Sequence, residues 1–317
     1  MGSVYHDPLT GRWLIFAGKR AKRPKDTGRE GGQDGCPFCP GREEMTPPSL
    51  LALDRVGEDV TGQEGVRGWA VRVFANLFPA LSPEEGDYGR HEVLVETPQH
   101  DGLLENLPVN HVDLILTALC LRVAVLEDDP GIRYVQVFKN SGRAAGASLF
   151  HPHWQIVALP FLPPVPAAEL ARLAGGRGKC PVCVFLTEKE VVERLTVKAG
   201  YHFVLLSPLG ARFPYEMWIV PRRHAPSFRE IKAEEKKELA LLLQKGIKGL
   251  KKVLGSEIAY NIVFHSLPAK EDRDRIFHWR VELFPRRDTM AGFEWGTGCY
   301  INTVLPEEAA AKLREAK

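Results

Sequence analysis

Net charge of either sign is nearly absent from this chain. Its 42 Lys and Arg stand against 40 Asp and Glu, a formal +2. So small a field gives no reason to expect nucleic acid or an anionic membrane as a partner. An apolar leader is missing from 1–6, and no apolar run approaches the length of a membrane span. A cytoplasmic chain is therefore expected. Cysteine is scarce, six in 317 residues, and four of the six fall in two Cys-x-x-Cys pairs. In a reducing compartment such pairs are metal ligands or redox motifs, not structural disulfides. Cys120 and Cys299 are left over and are expected in the core. Hydrophobic residues at 44% and charged residues at 26% exclude disorder. The length suffices for two domains, or one large fused one, with real cores.

The strongest functional signal is His151-Pro152-His153-Trp154-Gln155. On an extended strand, alternate side chains share a face, so two imidazoles and a carboxamide line up. The residues before them, Asn140-Ser141-Gly142 and Gly146-Ala147-Ser148, are small and turn-forming. Such a face can attack, orient and hydrogen-bond a phosphate. Basic residues gather at 12–23 and at Arg222-Arg223, as a solvated surface or as phosphate contacts.

The chain also repeats an order of features. The first half runs Cys36-Pro37-Phe38-Cys39, a strand at 91–95 ending at His100, a helix at 112–126, a strand at 134–138, then His151. The second runs Cys180-Pro181-Val182-Cys183, a strand at 215–220 ending at His224, a helix at 233–254, a strand at 260–264, then His278. Repetition of the whole order predicts a tandem duplication. Its halves are 1–160 and 161–317, parted by a proline-punctuated segment near 160–178. The pattern implies an α+β fold, mainly antiparallel sheet, with one long helix per half. Along 233–254 the leucines and Ile247 mark one apolar face. Lys236, Lys237, Lys245, Lys248 and Lys251 then form a solvated one.

Two thiolates at Cys-x-x-Cys spacing chelate one tetrahedral ion. The repeat nominates Cys36, Cys39, His100 and His151 for one site, and Cys180, Cys183, His224 and His278 for the other. Both would be closed Cys2His2 sites, hence structural, with Zn2+ the preferred ion. The halves diverge where chemistry would occur. His153 corresponds to Arg280 and Gln155 to Glu282, so only the first half keeps a nucleophile-capable imidazole.

These residues, together with Asp7-Pro8-Leu9-Thr10-Gly11-Arg12-Trp13, Arg20-Ala21-Lys22-Arg23-Pro24, Val73-Phe74-Ala75-Asn76 and Glu96-Thr97-Pro98-Gln99-His100, resemble the galactose-1-phosphate uridylyltransferase family of the histidine-triad superfamily. The resemblance covers almost the whole chain and implies two histidine-triad-like halves. It implies that His153 attacks the α-phosphorus of a nucleotide sugar, forming a covalent nucleotidyl-histidine, and that a sugar phosphate then takes the nucleotide. Gln155 and Ser148 would be catalytic. Arg20, Arg23, Asn76 and Asn140 would bind nucleotide and phosphates, and Phe293 and Glu294 the sugar. Family members are commonly homodimers.

Departures from the family pattern matter. Trp154 replaces a common Gly and should pack away from the reacting face. Glu169 and His265 match two ligands of a second, iron-type site, but Arg280 and Glu282 stand where two histidines would be, so no metal is expected there. The segment 295–302 looks more like a branch that includes ADP-sugar phosphorylases. The leading reading is transfer of UMP from UDP-glucose to a hexose 1-phosphate such as galactose 1-phosphate; the alternatives are the same histidine acting on ADP-sugar, and a zinc-stabilised nucleotide-binding protein without turnover. A zinc-finger nucleic-acid binder is disfavoured by ligand spacing and charge.

Overall fold

The computed structural model describes residues 3–23, 35–62, 66, 68–83, 88–174, 178–271 and 277–316. Pro24, of the basic motif starting at Arg20, lies outside them. A short hairpin joins β1 (Ser3–His6) to β2 (Trp13–Phe16). Ten further strands form one sheet: β3 (Ser49–Leu53), β4 (Val71–Ala75), β5 (Arg90–Val95), β6 (Tyr134–Ser141), β7 (His153–Leu159), β8 (Thr196–Ala199), β9 (Phe203–Leu206), β10 (Met217–Pro221), β11 (Tyr260–His265) and β12 (Arg280–Pro285). Their order is β3-β4-β5-β7-β6-β11-β12-β10-β9-β8, with every neighbouring pair antiparallel. Read outward from the central β6–β11 pair, five strands on one side follow the same succession as five on the other. The fold is α+β on antiparallel sheet, and the sheet runs unbroken across both halves.

The helices are α1 (Val109–Asp128), α2 (Pro164–Ala174), α3 (Pro181–Phe185), α4 (Lys189–Leu195), α5 (Ala233–Leu254), α6 (Gly292–Thr297) and α7 (Pro306–Glu315). Helices α1 and α5 pack together and on one sheet face. Ile115, Leu119, Leu243 and Ile247 join Trp154, Ile156, Val281 and Leu283 in one core drawn from both halves. Close approach of α5 to the sheet needs Gly246: a Cβ there would lie 2.8 Å from Leu283. Helix α1 is, contrary to expectation, long and apolar enough to cross a membrane by length and composition. Its apolar face is buried in the shared core, which accounts for that composition within this fold.

Three further expectations need correction. The lysines of α5 are not all solvated: Lys236 donates to Thr117 Oγ1 at 2.6 Å, Lys245 to the Ala316 carbonyl at 2.9 Å, and Lys251 pairs with Glu105 at 2.5 Å. Their long stems reach past the apolar face and tie α5 to its neighbours. The segment 160–178 carries α2, because Pro164 and Pro166 fall in its first turn, where a missing N–H costs no intrahelical bond. Leu170 of α2 packs on Leu267 and Phe277. Cys299 is exposed, whereas Cys120 packs against the core.

Candidate active site

Strand alternation divides β7 cleanly. Trp154, Ile156 and Ala158 enter the helix-covered core, with Trp154 fully buried and edge-on to Phe264. His153 and Gln155 therefore face the other side, beside Val93 and Val95 of β5. That face is covered by the first Cys-x-x-Cys turn, where Cys36, Phe38 and Cys39 pack on Ala52, Phe74, Val93 and Val95.

Each of the two predicted ligand sets comes together. Around the first, Cys36 Sγ and Cys39 Sγ lie 3.6 Å from His151 Nδ1, and Cys39 Sγ lies 3.4 Å from His100 Nδ1. Around the second, Cys180 Sγ and Cys183 Sγ lie 3.5 and 3.6 Å from His278 Nδ1, with Cys183 Sγ 3.5 Å from His224 Nδ1. A tetrahedral ion with bonds of about 2.3 Å to sulfur and 2.0–2.1 Å to nitrogen has S···N edges of about 3.6 Å. The clusters already have those dimensions. In both, the buried histidine directs Nδ1 to the centre and donates Nε2–H to a backbone carbonyl, His151 to Thr97 at 2.8 Å and His278 to Pro221 at 2.9 Å. Such outer bonds fix ring and tautomer. Burial and the adjacent Cys36 push the Cys39 thiol up to about 11. A bound cation is what reverses that penalty, so the donor sets fit a metal ion.

The first cluster places the carbonyl of His151, and His153 Nδ1 donates to it at 2.9 Å. With Nδ1 carrying the proton, Nε2 keeps its lone pair, and no hydrogen bond to Nε2 occurs among the described residues. Burial lowers the His153 imidazole to about 4, Lys139 adding to the effect, so the ring is neutral near pH 7. His153 sits where two cavities meet. One, of about 290 Å³, is lined by Arg20, Arg23, Asn76, Ser148 and Gln155, with Phe38, Phe74 and Phe78 as apolar wall. The other, of about 260 Å³, is lined by Lys139, Asn140, Ser141 and Arg143 from β6 and its turn, and by Lys251 and Glu257.

Local sequence explains these placements. The turn after β6 passes through Gly142 and Gly146 at φ 84° and 89°, left-handed values that favour glycine, and so returns Ser148 to His153. Asn261 of β11 donates to Asn140 Oδ1 at 2.8 Å, leaving the Asn140 amide hydrogens for a ligand. Phe293 and Glu294 are not brought to His153. They lie in α6, where Phe293 is exposed and Glu294 caps its own helix by accepting from Ala291 N–H at 2.9 Å.

Sequence reasoning missed His91, which is buried at 4% exposure and accepts, through Nδ1, the Ala80 N–H at 3.0 Å and Arg20 Nη1 at 3.3 Å. Its Nε2 lies 3.0 Å from Gln155 Oε1. The available signal was a lone polar residue on the otherwise apolar face of His91, Val93 and Val95. The place matched to an iron-type site is filled by a guanidinium: Arg280 donates to Glu169 at 2.8 Å and Glu282 at 3.0 Å, and His265 pairs with Glu282 at 3.1 Å. Arginine offers no lone pair, so these residues do not fit a cation.

Known proteins share this sequence pattern and this fold. An ADP-glucose phosphorylase from Arabidopsis thaliana is 34% identical over 98% of this chain and 91% of its own length. A galactose-1-phosphate uridylyltransferase from Thermotoga maritima is 32% identical over 100% of this chain and 99% of its own. The crystal structure of the Arabidopsis thaliana ADP-glucose phosphorylase with bound ADP-glucose superposes with TM-score 0.79 at 33% identity, covering 99% of both chains. The family model described as Domain of unknown function (DUF4921) matches residues 106–316. Fold and relatives together define an enzyme of the nucleotidyltransferase and phosphorylase class. The chain belongs to the galactose-1-phosphate uridylyltransferase family, including its ADP-sugar phosphorylase branch.

Proposed function

We propose that this protein transfers a nucleoside monophosphate by double displacement through His153. The observation that carries the reading is the His153 Nδ1–H bond to the His151 carbonyl, which leaves Nε2 as a bare nucleophile between two cavities. The Nε2 lone pair attacks the α-phosphorus of a nucleotide sugar and a P–N bond forms. The bond from that phosphorus to the bridging oxygen breaks, and the sugar phosphate leaves with the electron pair. The ring then carries positive charge, which the His151 carbonyl stabilises. An acceptor phosphate oxygen next attacks phosphorus, the P–N bond breaks, and neutral imidazole returns. No proton moves at Nδ1 in either step.

In this reading the apolar wall of Phe38, Phe74 and Phe78 holds the nucleoside, Arg20 and Arg23 meet the phosphates, and Gln155 and Ser148 donate to their oxygens. The leaving sugar phosphate takes the polar cavity beside Asn140. The donor we favour is an ADP-sugar with phosphate as acceptor, supported by the 34% identical phosphorylase. The second reading, UMP transfer from UDP-glucose to galactose 1-phosphate, is supported by the 32% identical uridylyltransferase. Both Cys2His2 clusters would hold structural Zn2+, for which that donor set is suited. The exposed Phe293 and its neighbour Glu294 would serve the sugar site of a second protomer in a homodimer.

Intact mass spectrometry under non-acidic conditions tests the reading, with ADP-glucose or UDP-glucose and no acceptor. An adenylyl adduct, absent from His153→Ala, is expected. A uridylyl adduct alone would replace the favoured donor by the second. No adduct with either, in metal-replete protein, would leave a binding protein without turnover.

A further inference from the structure

We propose that His91 is a positioning residue that fixes the orientation of the Gln155 carboxamide and seats the Arg20 guanidinium; this rests on the transfer reading above. Strand register brings the three together. His91 on β5 pairs with Val157 on β7, one step along the same face from Gln155. Its ring lies between Gln155 on one side and the 76–80 turn on the other.

Hydrogen-bond accounting fixes the tautomer. The Ala80 backbone N–H can only donate, and it points at His91 Nδ1 from 3.0 Å. Arg20 Nη1 approaches the same atom at 3.3 Å, and a guanidinium also only donates. Nδ1 is therefore unprotonated. Burial, with the Arg20 charge second, lowers the ring to about 3, so it is neutral and Nε2 carries its one hydrogen. That hydrogen goes to Gln155 Oε1 at 3.0 Å. Asn76 Nδ2 lies 3.2 Å from the same nitrogen, but Asn76 Oδ1 already accepts the Phe78 N–H at 2.8 Å. Asn76 therefore presents a donor, and the Nε2 hydrogen has Gln155 Oε1 as its acceptor.

Two consequences follow for the site. A flipped Gln155 would set its N–H groups against Nε2–H, so the flip is opposed. The amide hydrogens are thereby kept away from His91 and free to donate to a phosphate oxygen, where the flipped carbonyl would repel it. Arg20 is held at its other contact by the Phe78 carbonyl at 2.9 Å. One neutral ring thus sets a donor and a cation that share the cavity with His153.

The test compares His91→Gln, His91→Asn and His91→Leu, each alone and with Gln155→Ala, by the rate of nucleotidyl adduct formation from ADP-glucose and UDP-glucose. Gln can place its amide near the Nε2 position and Asn near Nδ1. We expect His91→Leu and His91→Asn to slow the step roughly 10- to 100-fold, the worth of one orienting hydrogen bond. His91→Gln should restore most of that loss. In the Gln155→Ala background, His91→Leu should cost much less than it does alone. Equal losses for Gln and Leu, or full additivity with Gln155→Ala, would overturn the proposal. A readout independent of activity is the 15N spectrum of the His91 imidazole, assigned by its loss in His91→Gln. Bare Nδ1 and protonated Nε2 are expected, and a protonated Nδ1 would overturn the positioning role. If wild type forms no adduct with either donor, the transfer reading fails, while the spectrum still decides the state of His91.

Discussion

Replacing His91 by Gln should flatten the acid limb of the stability curve. Folded, the ring stands at about 3 against an ordinary 6.5, through burial first and the Arg20 charge second. Unfolded, it regains the ordinary value. Between about pH 6.5 and 3 the unfolded chain then holds one proton that the native chain does not. More protons bound by the unfolded state means that stability rises with pH. The contribution is fully present above about pH 6.5 and is lost progressively as pH falls toward 3. One proton corresponds to about 1.4 kcal/mol per pH unit, so acidifying from pH 7 to 5 costs wild type about 2 kcal/mol through this residue. The groups facing the ring are Arg20, Asn76, Gln155, the Ala80 amide and, further off, His153; of the side chains, only His153 titrates in that range. Denaturant unfolding of metal-replete protein, stepped from pH 7 to 5, gives the slope. Metal ligands and the remaining histidines contribute to both proteins and cancel in the difference. The wild-type slope should exceed that of His91→Gln by about one proton between pH 6 and 5. Equal slopes would refute the reasoning, because the native ring would then accept a proton that the Ala80 N–H is claimed to exclude.

Cys36→Ser should lower bound metal from two ions per chain to one, measured by elemental mass spectrometry. Stability should fall by more than about 2 kcal/mol, since even second-sphere changes cost 10- to 100-fold in metal affinity. An unchanged metal count would remove the assignment of the first cluster. Arg280→Met should cost about 3 kcal/mol by leaving the carboxylates of Glu169 and Glu282 short of their shared cation. In a chain of this length that is about 5 °C in the melting midpoint. Adduct formation at His153 should be untouched, and a loss of that activity without a loss of stability would contradict a structural role.

The sequence made the periodic and the chelating features legible. Helix α5 occupies 233–254 as its spacing of Leu239, Leu243, Ile247 and Leu250 requires. The Cys and His ligands could be paired from the repeat because a tetrahedral ion constrains residue types as well as their order. Helix α1 begins three residues before the expected 112 and ends two after 126, because its first-turn Asn110 and His111 hide the apolar period. What stayed illegible depended on contacts between remote segments. Cys299 follows the αL residue Gly298 at the end of α6, and only the tertiary path leaves it exposed. His91 gains its role from a turn eleven residues before it in sequence and a strand more than sixty after it. Nothing in its own segment, Arg90–Val95, encodes those partners.

The two halves of the sheet offer a reason for the proposed chemistry to fall in one of them. Strand register sets Asn140, His153, Gln155 and His91 at places matched in the other half by His265, Arg280, Glu282 and Glu216. In the first set the polar groups are neutral; His91 spends both ring nitrogens, but the other three use one atom internally and leave another for a ligand: Asn140 gives Oδ1 to Asn261, Gln155 gives Oε1 to His91, and His153 gives Nδ1–H to a carbonyl. In the second set Arg280, Glu282 and Glu216 are charged and, together with Arg212, satisfy one another. Glu282 takes Arg280, Arg212 and His265; Glu216 takes Arg212 and Trp218 Nε1. A closed buried ion cluster has no lone pair to attack with and no donor to spare, and opening it would strand a charge in low dielectric. The same sheet scaffold therefore yields a reactive face where the polar groups are half-used, and a structural brace where they are used up.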